Sequence, residues 1–182
     1  MPILDSRSME FISRSAEQTR RAGMRLGALL QPGDLICLVG DLGAGKTTLM
    51  QGIAAGWGSL DPVSSPTFVL VNVYRRSAAR QYTAGQRPLS SQPAPGQRLF
   101  HLDAYRLSGP AEAEDLDLDL MLAAGPMVIE WADRVRPALP DDYLWVTLHW
   151  VDDEQRDLLI SAHGRRYQEL LVDFRRQVFG VS

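Results

Sequence analysis

The 182-residue sequence predicts an α/β fold, a mixed β-sheet flanked by helices in one domain, and three observations predict it. A glycine-rich turn, Gly40 to Thr47, joins an apolar strand-like run to a helix-like one. Strand and helix signals alternate through the first half, which favours parallel pairing. Late in the chain two strand-like runs are separated by a short polar turn, which favours an antiparallel hairpin. The two kinds of pairing together make the sheet mixed.

Each element has its own warrant. Ser15-Ala16-Glu17-Gln18 fits a capping box, with Ser15 as N-cap and Gln18 reaching back. The segment that follows, to Leu30, carries Ala22, Leu26, Leu29 and Leu30 at helical spacing, and Gln31-Pro32-Gly33-Asp34 stops it. Leu35 to Val39 reads as a buried strand, and Thr48 to Trp57 as a helix ended by Gly56 and Gly58. After Ser64-Ser65-Pro66-Thr67, residues Phe68 to Tyr74 are β-branched and aromatic, hence a strand. Leu99 to Tyr105 reads as another, with Leu99, His101, Asp103 and Tyr105 on one face and Phe100, Leu102 and Ala104 on the other.

Between these two strands, residues 76 to about 98 are rich in Pro, Ser and Gln and nearly devoid of large apolar side chains. They read as a long flexible hairpin insert in the single domain 1–182, with a lid as the alternative. Ser108-Gly109-Pro110 opens a helix to about Ala123, with Leu116, Leu120 and Met121 as its buried stripe. Met127 to Ile129 is a short strand ending in Glu130-Trp131, and Arg136 to Pro140 a loop. Tyr143 to Val151 and Arg156 to Ala162 form the hairpin, and a helix from Arg165 to Val178 closes the chain.

Composition narrows the functional classes. Net charge is −3, so no whole-surface attraction for nucleic acid is expected. Arg165, Arg166, Arg175 and Arg176 form a local basic cluster, read as a solvated helix face. No apolar run approaches the roughly 18 residues of a membrane span, and the N-terminus lacks a signal-peptide core. Lone Cys37, inside an apolar strand, suits a core position in a reducing cytosol. The expectation is a cytoplasmic protein without a membrane.

The glycine-rich turn carries the chemistry. Gly40, Gly45, Lys46 and Thr47 match G-x-x-x-x-G-K-[ST] with a strand before and a helix after, the context of P-loop NTPase-like folds. Glycines let the backbone curl so that the N–H groups of Asp41, Leu42, Gly43, Ala44, Gly45 and the first helical residues, through Thr48, converge on one anion. Lys46 neutralises phosphate oxygens and the Thr47 hydroxyl can ligate Mg²⁺. The bland alternative is a Gly-rich turn with an exposed lysine. The pattern in this context points to a nucleoside triphosphate with magnesium.

A phosphate loop needs carboxylate partners, because Mg²⁺ takes oxygen ligands and keeps several waters. In open α/β sheets the ligand sits beyond the carboxyl ends of the strands. Asp103 and Glu130 stand at two such ends, where either can hold the metal or position the attacking water. Capping a helix or pairing with an arginine is the structural alternative for both. His101 reads as a spacer on the Asp103 face. Thr67 can sense the terminal phosphate or merely cap its turn, and Trp131 is a nucleotide neighbour or a plain core residue. Arg106 and Arg134 follow the carboxylates and can stabilise a transferring phosphoryl group or pair with them.

Together these pieces resemble the TsaE (YjeE) family, the ATPase component of bacterial threonylcarbamoyladenosine synthesis at position 37 of tRNA. The carriers are Gly40 to Thr48, Ser65-Pro66-Thr67-Phe68, His101-Leu102-Asp103-Ala104-Tyr105-Arg106-Leu107 and Ile129-Glu130-Trp131. Thr19 and Gly23 upstream and Glu114-Asp115-Leu116 also fit, over roughly residues 15 to 150 apart from the insert. The resemblance implies weak, partner-dependent ATP hydrolysis. It implies Lys46 on the phosphates, Thr47 and Glu130 on Mg²⁺, and Thr67 and Asp103 in switch segments needed for turnover. Trp131 is implied near the nucleotide, and Thr19 near the base. The implied partners are the threonylcarbamoyl-transferase subunits, TsaD and TsaB-like, with tRNA engaged indirectly. Asp117 stands where the family often has glycine, and the insert replaces a tight hairpin.

Two other readings use the same residues. One is a small-molecule kinase, against which the chain shows neither an arginine-rich lid nor a second substrate motif. The other is a nucleotide-gated binding module whose hydrolysis is incidental.

Overall fold

The computed structural model describes residues 5–64, 70–76 and 97–180. Thr67 and nearly all of the 76–98 insert lie outside them. The elements run β1 (Ser8–Ser13), α1 (Ala16–Ala28), β2 (Leu35–Val39), α2 (Lys46–Trp57), β3 (Val71–Arg75) and β4 (Arg98–Asp103). They continue with α3 (Pro110–Glu114), α4 (Leu118–Ala124), β5 (Met127–Glu130), β6 (Tyr143–Trp150), β7 (Arg156–His163) and α5 (Arg165–Phe179). The seven strands form one sheet in the order β1-β7-β6-β2-β5-β4-β3. Strand β2 pairs in parallel with β6 and β5, and β4 in parallel with β5. The pairs β1–β7, β6–β7 and β3–β4 are antiparallel. The predicted α/β mixed sheet is observed, with the phosphate-loop strand β2 at its centre.

Side-chain alternation sorts the core to the two faces of the sheet. Ile36, Leu38 and Val128 pack with Leu26, Met50, Ile53, Leu171 and Phe174 of α1, α2 and α5. Leu35, Cys37, Met127 and Ile129 pack on the other face with Leu107, Leu118 and Leu122. Burial raises the Cys37 thiol pKa, as the core assignment requires. Among the described residues no helix is long and apolar enough to cross a membrane.

Helix α1 begins where its cap requires. The Ser15 hydroxyl accepts from the Gln18 N–H at 3.1 Å, while the Gln18 side-chain Oε1 accepts from the Arg14 N–H at 2.9 Å. Helices α1 and α2 then meet backbone to backbone. Gly23 and Gly27 face Leu49, Ile53 and Trp57, and Gly52 and Gly56 face Arg20 and Met24. A Cβ at Gly27 or Gly56 would collide with the carbonyl of Ile53 or Met24. Gly58, with φ +101°, ends α2 as expected, whereas Gly56 serves the seam.

One strand is added and three expectations are corrected. Strand β1 was not anticipated; Met9 and Phe11 alternate with Glu10 and Ile12 against β7, with Met9 buried. The helix expected over 110–123 is two helices, because Asp117 adopts a left-handed conformation (φ 51°) between them. The break turns the second segment, so Leu118 and Leu122 are buried and Leu120 is 71% exposed. The β4 strand ends at Asp103, and Ala104–Arg106 form a 3-10 turn. The basic cluster is not uniformly solvated. Arg166 holds buried Asp34 through two hydrogen bonds (2.9 and 2.7 Å), and Arg175 donates to the carbonyls of Asp5 and Ser8.

Candidate functional site

Strand β2 delivers its chain to Gly40, whose Cβ would collide with the Leu148 carbonyl. Gly43 (φ +81°) and Gly45 (φ +101°) turn the loop back so that α2 starts at Lys46. Beside it, parallel pairing sets Leu38 opposite Glu130 and Glu130 opposite Asp103, so two carboxylates stand at neighbouring strand ends. The sheet's parallel centre thus gathers what the chain separates by ninety residues.

A cleft of about 480 Å³ opens there, lined by Leu42, Gly43, Gly45, Lys46, Thr47, Thr48, Asp103, Tyr105, Arg106, Glu130, Trp131 and Arg156. Asp41 and Ala44 complete the loop, Asp41 exposed and Ala44 buried. Lys46 is only 6% exposed. Its ammonium donates to the carbonyls of Gly40 and Asp41 and lies 4.1 Å from the centroid of the Trp131 ring. Burial lowers the Lys46 pKa, and the nearby carboxylates of Glu130, Asp103 and Asp41 oppose that shift. Trp131 itself is held at φ 57°, a left-handed conformation for a bulky residue, and its ring leans on Tyr105 at 5.0 Å.

The two carboxylates differ. Glu130 is 5% exposed; its Oε2 accepts from His101 Nε2 at 3.2 Å. Its Oε1 is buried with no hydrogen-bond partner among the described residues. An orphaned carboxylate oxygen on a residue lining the same cleft as Thr47 fits a hard cation such as Mg²⁺. Asp103 accepts from the Tyr105 N–H at 2.9 Å and so caps the 3-10 turn. Its pKa is raised, by burial first and by the Glu130 charge as a further cause.

Of the remaining candidates, Thr19 is buried and bonded to Ser13 Oγ at 2.7 Å. It lines a small crevice of about 40 Å³ with Gly45, Thr48 and Arg156, adjoining the cleft. Arg134 donates to the Tyr105 carbonyl at 2.8 Å and covers the Tyr105 ring, pairing with neither carboxylate. Sequence reasoning missed Arg156, which runs alongside Gly45 and lines both cavities. His101, a spacer on the sequence pattern alone, contacts Glu130 in the fold.

Comparison with known proteins identifies relatives of this chain. The family model described as "Threonylcarbamoyl adenosine biosynthesis protein TsaE" matches residues 13–158. A protein of Bacillus subtilis (strain 168), named tRNA threonylcarbamoyladenosine biosynthesis protein TsaE, is 34% identical over 161 residues, covering 88% of this chain and 89% of its own. Its namesake in Streptomyces coelicolor is 39% identical over 153 residues, covering 81% and 93%. The crystal structure of Bacillus YdiB superposes with a TM-score of 0.69 at 27% identity, covering 94% of this chain and 96% of that one. With its phosphate loop, flanking carboxylates and mixed sheet, this chain belongs to the TsaE family.

Proposed function

We propose that this chain is a magnesium-dependent ATP hydrolase that works with threonylcarbamoyl-transferase subunits, TsaD and TsaB-like, in the modification of adenosine 37 of tRNA. The observation that carries it is the convergence of Lys46, Thr47, Asp103 and Glu130 on one cleft at the parallel centre of the sheet. Names printed for relatives support the tRNA-modification role.

The backbone amides from Asp41 to Thr48 bind the phosphates, and the α2 N-terminus adds its positive dipole end. Lys46, held by loop carbonyls and the Trp131 ring, is poised to exchange those partners for phosphate oxygens. Thr47 and Glu130 would hold Mg²⁺, which when bound offsets phosphate charge. Asp103, at the end of a strand that continues into an exposed turn, orients the attacking water. Trp131 and Thr19 flank the nucleotide and its base, and Thr67 reports the terminal phosphate. Affinity for ATP over ADP biases a switch that the partner subunits read. Residues 1–182 act as one domain, and the insert is dispensable for the ATP site.

ATP hydrolysis by the purified chain, alone and with the partner dimer, tests this. Hydrolysis is expected to be slow alone and to rise with partners, and cells lacking the chain should accumulate tRNA without threonylcarbamoyl at A37. Fully modified tRNA in such cells, or phosphorylation of a metabolite by the isolated chain, would overturn it.

A further inference from the structure

Three buried groups on three adjacent strands form a hydrogen-bonded line into the site. The Tyr74 hydroxyl on β3 lies 3.1 Å from His101 Nδ1 on β4, and His101 Nε2 lies 3.2 Å from Glu130 Oε2 on β5. Tyr74 and His101 are 3% and 1% exposed, and their rings stack with centroids 6.0 Å apart. Burying a polar ring at this depth carries a desolvation cost that an apolar side chain would not, so its hydrogen bonds must be satisfied.

A carboxylate only accepts, so Nε2 donates to Oε2, and in the neutral imidazole the Tyr74 hydroxyl completes the chain by donating to Nδ1. One Glu130 oxygen is thereby committed to the protein, while Oε1 keeps its lone pairs with no partner among the described residues. Were both oxygens free, the carboxylate would rotate about its last torsion, which is soft. We propose that His101, itself fixed by Tyr74, is a positioning residue that pins Glu130 with Oε1 presented to the metal. Edge strand β3, which carries Tyr74, is thereby linked through His101 to the metal carboxylate on β5.

The inference rests on the reading of Glu130 as a metal ligand, and the experiment separates the two. The readout is the Mg²⁺ concentration giving half-maximal ADP binding, followed by intrinsic tryptophan fluorescence, beside ADP affinity in EDTA. Outer-shell partners of metal ligands typically contribute 10–100-fold to metal affinity. His101→Ala should raise the Mg²⁺ requirement about tenfold and leave affinity in EDTA unchanged. His101→Gln, whose amide nitrogen can donate to Oε2, should recover most of that loss, and Tyr74→Phe should cost a few-fold. The rescue keeps the test open even if the alanine variant fails to fold. Equal losses with and without Mg²⁺, or no rescue by Gln, would overturn the positioning role and leave the function intact. An unchanged Mg²⁺ requirement in Glu130→Gln would overturn the metal-ligand reading itself.

Discussion

Asp103 and Glu130 stand opposite one another in register at the ends of β4 and β5, yet only Glu130 is deeply buried with an oxygen to spare. Equal sequence positions have thus become unequal chemical ones. Glu130→Gln should keep nucleotide binding but lose its magnesium dependence and turnover. Asp103→Asn should lower turnover with a smaller effect on metal affinity, since the amide oxygen can still accept from the Tyr105 N–H. If Asp103→Asn abolished metal dependence and Glu130→Gln did not, the roles would be reversed.

Ligand linkage gives a thermal test. At a hundredfold excess over Kd, Mg-ADP should stabilise the fold by about 2.7 kcal/mol. For a domain of this size that raises Tm by about 5–11 °C. Lys46→Ala should abolish most of the shift in differential scanning fluorimetry. A full shift in that variant would remove the lysine from the phosphate site.

The insert leaves and rejoins the sheet at neighbouring positions, since the Arg76 N–H donates to the Gln97 carbonyl at 3.2 Å. Closure entropy grows only with the logarithm of loop length, about 0.6 kcal/mol per doubling. Replacing residues 77–96 by Asn-Gly should therefore leave ADP affinity and Tm near their original values. A loss of more than tenfold in affinity would make the insert part of the site.

The α1–α2 seam predicts a large effect from one methyl group. Gly27→Ala should destabilise by about 2–3 kcal/mol in urea titration, because its Cβ would meet the Ile53 carbonyl. Gly109→Ala, whose Cβ would meet nothing within 4 Å, should change stability by less than about 0.5 kcal/mol. Equal effects would mean that the helices are not in backbone contact.

Tyr167 provides a pH test remote from the cleft. Its hydroxyl accepts from the Leu35 N–H at 2.8 Å, and burial pushes its pKa up to about 12. A raised folded-state pKa gives stability that is complete below the ordinary value of 10 and is lost as pH rises through 12. Tyr167→Phe should cost about 1–2 kcal/mol at pH 7 by leaving the amide unpaired. The gap should narrow between pH 10 and 12. A gap that widened with pH would reverse the sign of the assigned shift.

The phosphate loop, β2, β5, the late hairpin and α5 are legible because each is a local pattern: a glycine motif, a short apolar run, or a period. What escapes is set by partners distant in the chain. Strand β1 alternates over only six residues, and its pairing with β7 lies far along the sequence. Arg156 follows a polar turn, and nothing local places it beside Gly45. His101 falls on the predicted face, but its contact with Glu130 exists only through the β4–β5 register. Asp117 is likewise set by backbone geometry that no local period shows: it adopts a left-handed conformation, which aspartate tolerates better than most residues.

Trp131 shares that left-handed geometry without aspartate's excuse, as a bulky aromatic at φ 57°. Holding it there costs about 1–2 kcal/mol that glycine would not incur. The strain is a standing tension maintained in the resting molecule, and it places the indole face within 4.1 Å of the Lys46 ammonium. Relaxing the backbone would swing the ring away and leave the lysine with its loop carbonyls alone. The fold thus forgoes stability at one residue so that its principal cation waits in a defined place.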